Sequence, residues 1–253
     1  MRIDLNADVG ESLDAHTLAN DAALMPHLTS ASIACGFHAG NPAVMSATLA
    51  LAKEHGVAVG AHPSFPDQIG FGRRDFEMAP QEIEDMVVYQ VGALAVMAKA
   101  KRMRLQHVKP HGALYVRAGK DPLIAEAVTR AVAAVDRSLM LFGLSGSALI
   151  SAGQDYGLTT VAEVFADRAY ESDGSLVSRK KPGAVIQDPD QVVKQALNLV
   201  KERFTVAVDG SVMQLDRDTI CLHGDTPGAV NLAIRLRHAF DDADVQVLAL
   251  GKR

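Results

Sequence analysis

Short apolar, β-branched runs alternate with longer helical patterns along the whole chain, and this alternation constrains the fold more than any other feature. The strand-like runs cover residues 2–5, 31–35, 57–60, 105–109, 139–143, 158–163, 219–223 and 245–250. Several are apolar almost throughout, as strands are when helices bury both of their faces. The helices announce their starts. Asn41-Pro42, Asp121-Pro122, Asp188-Pro189 and Thr226-Pro227 each put a side-chain oxygen at the cap and proline at the first helical position. There the oxygen accepts from a free N–H, and proline lacks a donor that would have had no partner. After Asn41, residues Val44, Met45, Thr48, Leu49 and Ala52 share one face, and Gly56 supplies a left-handed stop. Pro80 opens a longer helix with Glu82, Glu84 and Asp85 near its positive end. Strand–helix alternation calls for parallel strands joined by right-handed crossovers, so the expected class is α/β.

Seven or eight such units either close into a barrel or form an open doubly wound sheet, and periodicity alone does not separate the two. One interruption differs: residues 204–208 and 211–215 flank Asp209-Gly210 as a β-hairpin insert. No linker, low-complexity tract or regular repeat divides the 253 residues, so a single α/β barrel domain over 1–253 is expected. The connections 62–78 and 164–187 exceed the ~12–15 residues usual for plain loops and read as ordered functional segments, candidates for a lid.

Composition removes several classes. Lys and Arg number 25 against 30 Asp and Glu, a net charge of −5, so the diffuse basic footprint of a nucleic-acid binder is missing. No apolar run approaches the ~18 residues of a membrane span. Met1-Arg2-Ile3-Asp4 puts an acid where a signal peptide would begin its apolar stretch. Cys35 and Cys221 both lie inside apolar segments, which suits reduced core thiols in a cytoplasmic protein.

The polar residues gather at the C-terminal ends of the strands. The first strand runs into Asn6, Asp8 and Glu11, the second into His38, the third into His62. The fourth gives Lys109 and His111, the sixth Glu163 and Asp167-Arg168, and the seventh His223 and Asp225. In parallel α/β architectures these ends converge on one rim, where ligands bind. Histidines and acids there can hold a metal or act as general acid and base. For any single histidine, a backbone hydrogen bond at a strand end is at least as good an explanation. Four of the nine histidines at corresponding ends favour a shared site. No HxH or HExxH signature is present, so spacing gives zinc only weak support and leaves metal open.

Lys109 ends an otherwise buried strand, where it either contacts an anion or oxyanion or snorkels to solvent; the tight Pro110–Gly112 exit favours the first. Arg168 and Arg179 bracket the long sixth loop and suit carboxylate or phosphate, whereas Lys180 and Lys181 read as a solvated face. Arg73-Arg74 either clamps an anion or covers the rim. A Walker-type GxxxxGK[ST] cradle is missing. Cys35, close to His38, reads as an inert core thiol rather than a nucleophile.

Six ordered blocks carry a resemblance. They are Asp4-Leu5-Asn6-Ala7-Asp8-Val9-Gly10-Glu11, Ile33-Ala34-Cys35-Gly36-Phe37-His38-Ala39-Gly40, Gly60-Ala61-His62-Pro63-Ser64, Val108-Lys109-Pro110-His111-Gly112-Ala113-Leu114-Tyr115, Glu163-Val164-Phe165-Ala166-Asp167-Arg168 and Cys221-Leu222-His223-Gly224-Asp225. Together they resemble the LamB/YcsF family over essentially the whole chain. The resemblance implies a distorted (β/α) barrel of about seven parallel strands, like that of glycoside hydrolases and deacetylases. It also implies 5-oxoprolinase activity: opening of 5-oxo-L-proline to L-glutamate with ATP and Mg2+, in concert with separate B and C subunits. On that reading Asp8, His38, His62, Lys109, His111, Glu163, Asp167 and His223 form the catalytic set, and Asn6, Arg168, Arg179 and Asp225 bind substrate. The rivals are a stand-alone metal-dependent amide hydrolase or deacetylase, and a non-catalytic subunit that only binds the lactam.

Overall fold

Successive side chains of an extended strand point to opposite faces. In β1 (Arg2–Val9) that puts Ile3, Leu5, Ala7 and Val9 on one face and Asp4, Asn6 and Asp8 on the other. All seven are buried. A strand with two buried faces, one of them polar, belongs in a barrel wall whose interior holds hydrogen-bonded side chains. A computed structural model of the chain, describing residues 1–13, 18–224 and 228–251, shows that barrel.

From β1 the wall continues through β2 (Ser30–Ala34), β3 (Ala58–His62), β4 (Leu105–Val108), β5 (Met140–Leu144) and β6 (Thr160–Phe165), each parallel to the next. The chain then makes an antiparallel hairpin, β7 (Phe204–Val206) with β8 (Val212–Gln214). After it, β9 (Thr219–Cys221) pairs in parallel with both β6 and β1 and closes the ring at seven strands. Of the two arrangements that periodicity left open, the closed barrel is therefore the one formed. The expected last strand shrinks to β10 (Gln246–Val247), which pairs with Arg2 and Ile3 outside the ring.

The helices are α1 (Ala19–Leu24), α2 (Pro42–His55), α3 (Pro80–Ala100), α4 (Gly112–Lys120), α5 (Pro122–Val135), α6 (Ala148–Asp155), α7 (Pro189–Leu197) and α8 (Ala229–Asp242). Three of the expected caps form. Asn41 Oδ1 accepts from Ala43 and Val44 N–H at 2.9 and 3.0 Å, and Asp121 and Asp188 accept from Leu123 and Asp190 N–H at 2.9 Å. Gly56 ends α2 at φ +66°. The Thr226-Pro227 start lies outside the described residues. Buried Leu49, Ile83 and Phe240 on these helices each stabilise the packing by roughly 1.5–3 kcal/mol. No helix among the described residues is long and apolar enough to cross a membrane.

β1 runs on to Val9 instead of stopping at Leu5, so Asn6 and Asp8 are strand residues rather than part of a following loop. Their polarity signals a loop only if the strand's second face meets solvent or lipid-like core. Here that face meets other polar groups across the barrel axis. Asp4 accepts from Thr29 and Ser30 hydroxyls at 2.7 and 2.6 Å and from Thr219 at 2.6 Å. Deeper along β4, His107 stacks on Phe142 with centroids 4.0 Å apart and meets Ser32 Oγ at 3.1 Å. These layers form the floor on which the rim residues stand.

Candidate active site

Lys109 follows β4 and points across the barrel, with only 2% of its surface exposed. The snorkelling alternative is thereby excluded. Its Nζ lies 2.7 Å from Glu163 Oε1 and 2.9 Å from Asp8 Oδ1, and it donates to Asn6 Oδ1 and Cys221 Sγ at 3.1 Å. Asn6 Nδ2 in turn donates to Glu163 Oε1 and Thr219 Oγ1, and Tyr115 donates to Glu163 Oε2 at 2.7 Å. Burial alone would lower the lysine, but the charges facing it, Asp8 foremost, raise its ammonium well above the ordinary value. Burial likewise pushes the Asp8 carboxyl up, yet His62 and Lys109 outweigh it and hold Asp8 well below the usual carboxylate range. Burial, then Glu163, pushes the Tyr115 phenol up, so it remains a donor. Asp8 Oδ1 pairs with Lys109 by charge but makes no hydrogen bond. A buried carboxylate oxygen in that state is ready to accept one.

Beside this ion cluster stand Glu11, His38, His62 and His111, whose ligating atoms all lie within 4.8 Å of one another. Glu11 Oε1 is 3.0 Å from His38 Nε2, 3.3 Å from His111 Nδ1 and 4.0 Å from His62 Nε2. His62 Nδ1 faces the Lys109 carbonyl at 2.7 Å, and His111 Nε2 faces the Phe71 carbonyl at 2.9 Å. A carbonyl only accepts, so those two nitrogens carry the protons. His111 is held neutral, so its Nδ1 is bare; it faces His62 Nε2 at 2.9 Å, and that nitrogen also lies 3.4 Å from Asp8 Oδ1. Burial, then the neighbouring histidines, keeps His38 and His111 well below the ordinary imidazole value, in the neutral form that ligates. Three imidazoles and one carboxylate, two of the rings oriented by backbone carbonyls, form a donor set suited to zinc or a similar divalent ion. The residues present therefore fit a metal.

The third group is a dyad. His223 Nδ1 lies 2.9 and 3.1 Å from the two Asp167 oxygens, and its ring stacks on Phe165 at 5.4 Å. Burial raises the Asp167 carboxyl, but His223 outweighs it and the group is held below its usual range. Asp167 thus fixes Nδ1 as the donor and leaves Nε2 free.

All three groups border one cavity of about 660 Å³, lined by Asp8, Glu11, His62, Lys109, His111 and His223. His38, Glu163, Asp167 and Asn6 are not on its wall; they stand behind it and hold the lining groups. Asp225 lies outside the described residues. The mouth is basic, with Arg73, Lys120, Arg168, Arg179, Lys180 and Lys181 around it. Arg168 commits two donors to the carbonyls of Ala184 and Val177, at 3.0 and 2.6 Å, so it ties down the loop between β6 and α7. Burial, with Arg179 adding to it, lowers its guanidinium to about 10. Arg179 and Lys180 are the more open cations, whereas Lys181 pairs with Glu171 at 2.8 Å; both lysines border the mouth and remain exposed. Cys35 is buried, and burial pushes its thiol up to about 12, as an inert core cysteine requires.

Sequence reasoning placed Glu11 on the rim but not in the reacting set, and it missed Tyr115 and Phe71. The signal for Glu11 was available: it follows the alternating Asp4-Asn6-Asp8 face by one turn of chain. The metal-type cluster itself left no local signature, because its four members come from separate strand ends.

The chain matches the LamB/YcsF family over residues 3–253. It is 51% identical to a protein from Tolumonas auensis named as a 5-oxoprolinase subunit, over 98% of this chain and 99% of that one. A protein of the same name from Chloroflexus aggregans is 52% identical over 98% of each. The crystal structure of a lactam utilization protein from Thermus thermophilus superposes with a TM-score of 0.92 at 44% identity, covering 99% of this chain and all of that one. On that agreement of sequence and fold over its whole length, the chain belongs to the LamB/YcsF family.

Proposed function

We propose that this chain is the lactam-opening subunit of an ATP-dependent 5-oxoprolinase, converting 5-oxo-L-proline to L-glutamate together with B and C subunits. The names of its relatives support the substrate and the existence of partners. The observation that carries the chemistry is the convergence on one cavity of an ionised Asp8, a four-donor cluster and an oriented His223.

A five-membered lactam is an unstrained amide, so its hydrolysis needs an activated carbonyl, a base for water and an acid for the departing nitrogen. Asp8, kept ionised by His62 and Lys109, accepts the proton of the attacking water. ATP, used at a partner or at a subunit junction, would supply the carbonyl's activation by passing its γ-phosphoryl group to the lactam oxygen with release of ADP; loss of the ring nitrogen after water attack then leaves γ-glutamyl phosphate, which a second water hydrolyses to glutamate and phosphate. A divalent ion in the Glu11–His38–His62–His111 cluster supplies Lewis-acid polarisation when bound. His223, oriented by Asp167, hands a proton to the ring nitrogen as it leaves. Lys109 does not touch substrate on this reading, because Glu163, Asn6, Cys221 and Asp8 already surround its ammonium. Arg179, one of the open cations at the mouth, takes the substrate carboxylate on this reading.

The four-donor cluster also favours a second reading, a stand-alone metal-dependent amide hydrolase. One assay separates them: glutamate release by the purified chain, with and without partner subunits, ATP and chelator. Turnover that needs ATP and partners, and falls with Asp8→Asn or His223→Ala, supports the proposal. Turnover by the metal-loaded chain alone supports the second reading. Undiminished turnover in both variants reduces the chain to a binding subunit.

A further inference from the structure

The loop between β3 and α3 holds a backbone conformation that its own residues do not favour. Phe71 has φ +54°, in the left-handed region where a Cβ crowds the chain. Strain of this kind persists only where the surroundings over-determine it, and it concentrates at functional sites. Its consequence here is geometric. In this conformation the Phe71 carbonyl accepts from His111 Nε2 at 2.9 Å. The Phe71 ring stands edge-on to His38 at 5.5 Å and 88°, and to His111 at 5.3 Å and 87°. His38 and His111 themselves lie face to face, 3.8 Å apart and 6° from parallel. The ring of Phe71 therefore abuts the edge of that stack.

The flanking residues hold the loop in place. Asp67, fully buried, accepts from Gly70 N–H at 2.8 Å and Arg74 N–H at 3.2 Å, and pairs with the Arg74 guanidinium. Gly72 N–H donates to the Asp67 carbonyl at 2.8 Å, and the Gly72 carbonyl accepts from Ala113 N–H at 2.8 Å. A Cβ on Gly72 would press into Ser64, His111 and His38, and one on Gly112 would overlap the Gly72 carbonyl. Both positions need glycine so that the loop can lie against the histidines. This segment is a brace, and the lid expected from its length alone does not describe it.

We propose that Phe71 is a positioning residue of the four-donor cluster. Its carbonyl fixes His111 in the tautomer whose Nδ1 is bare, and its ring keeps His38 and His111 aligned as ligands. The inference rests on the reading of that cluster as a metal centre. Partners that orient metal-ligating histidines are typically worth about 10–100-fold in metal affinity.

Two substitutions divide the roles. Phe71→Gly keeps the left-handed backbone accessible and deletes the ring. Phe71→Pro forces φ to about −65° and swings the carbonyl away. Zinc affinity of the full chain is measured by competition with a chromophoric chelator, and the His111 tautomer by nitrogen NMR of the metal-free protein. Thermal midpoints of the metal-free proteins serve as the folding control. Phe71→Gly is expected to weaken zinc binding about tenfold while the metal-free midpoint stays level or rises, since glycine relieves the strain. Phe71→Pro is expected to lose the single Nε2-protonated form of His111; should that variant not fold, the wild-type tautomer and Phe71→Gly still judge the proposal. Wild-type zinc affinity in Phe71→Gly, a loss that merely tracks a lower midpoint, or wild-type His111 protonated at Nδ1 would each overturn it. If the wild type takes up no zinc, the metal reading fails separately, and the tautomer in the metal-free chain still decides what Phe71 does.

Discussion

Replacing Lys109 by methionine removes one charge while keeping a long unbranched side chain in place. In the native barrel that charge lies 2.7 Å from Glu163 and 2.9 Å from Asp8, in a residue 2% exposed. Without it two carboxylates share a water-poor interior. Removing one partner from a buried ion pair typically costs about 3–5 kcal/mol, because the remaining charge is left uncompensated. For a chain of this length each kcal/mol moves the thermal midpoint by roughly 2–4 °C, so the expected fall is about 6–20 °C. The loss must also titrate. In the variant a carboxyl facing another carboxylate is raised above its unfolded value, so the folded state binds more protons than the unfolded state. Stability then falls as pH rises through the raised value, and the deficit against wild type is smaller near pH ~5 than near pH ~8. Adding Glu163→Gln removes one of the two stranded charges and is expected to recover about 1 kcal/mol or more. Urea denaturation of wild type, single and double variants at both pH values measures all of this. A Lys109→Met deficit under about 1 kcal/mol, or one equal at both pH values, would refute the account of the cluster as held by charge.

Three further outcomes are expected. Asp167→Asn, which removes the carboxylate that orients His223 through Nδ1, should lower turnover of the assembled enzyme by about 10²–10⁴; a loss below tenfold in the folded variant would remove the dyad from the mechanism. His38→Ala, a ligand lost from the cluster, should abolish retention of one zinc per chain in elemental analysis after dialysis, and full retention would exclude His38 as a ligand. His107, pushed down to about 3 by burial and Lys109, is neutral in the fold, whereas its unfolded value is near 6.5. Between those values the unfolded state binds the extra proton, so its contribution is complete above pH ~6.5 and is lost as pH falls, at up to ~1.4 kcal/mol per pH unit. Urea melts of His107→Gln should show a flatter acid limb than wild type, and an identical limb would assign the acid sensitivity elsewhere.

Much of the fold was legible because its signals are local. Asn41-Pro42, Asp121-Pro122 and Asp188-Pro189 mark helix starts through contacts within three residues, and Gly56 marks a stop through one backbone angle. The hairpin around Asp209-Gly210 is local in the same sense. The end of β1 was not legible, since polar Asn6 and Asp8 look like loop until Glu163, Thr219 and Lys109 are seen to face them across the axis.

The sequence by itself determined the order of strands and helices, the rim on which acids, histidines and Lys109 would gather, and the family. Tertiary structure alone decided that the sheet closes, because closure is the pairing of β9 with β1, more than two hundred residues apart in the chain. It also decided which rim residues face the cavity and which stand behind them, separating Asp8 and His223 from Glu163 and Asp167. Most of all it made a metal-type centre of Glu11, His38, His62 and His111, whose spacing along the chain carries no ligand signature. Coordination depends on distances of a few ångströms between strand ends, and only the curvature of the barrel sets those distances.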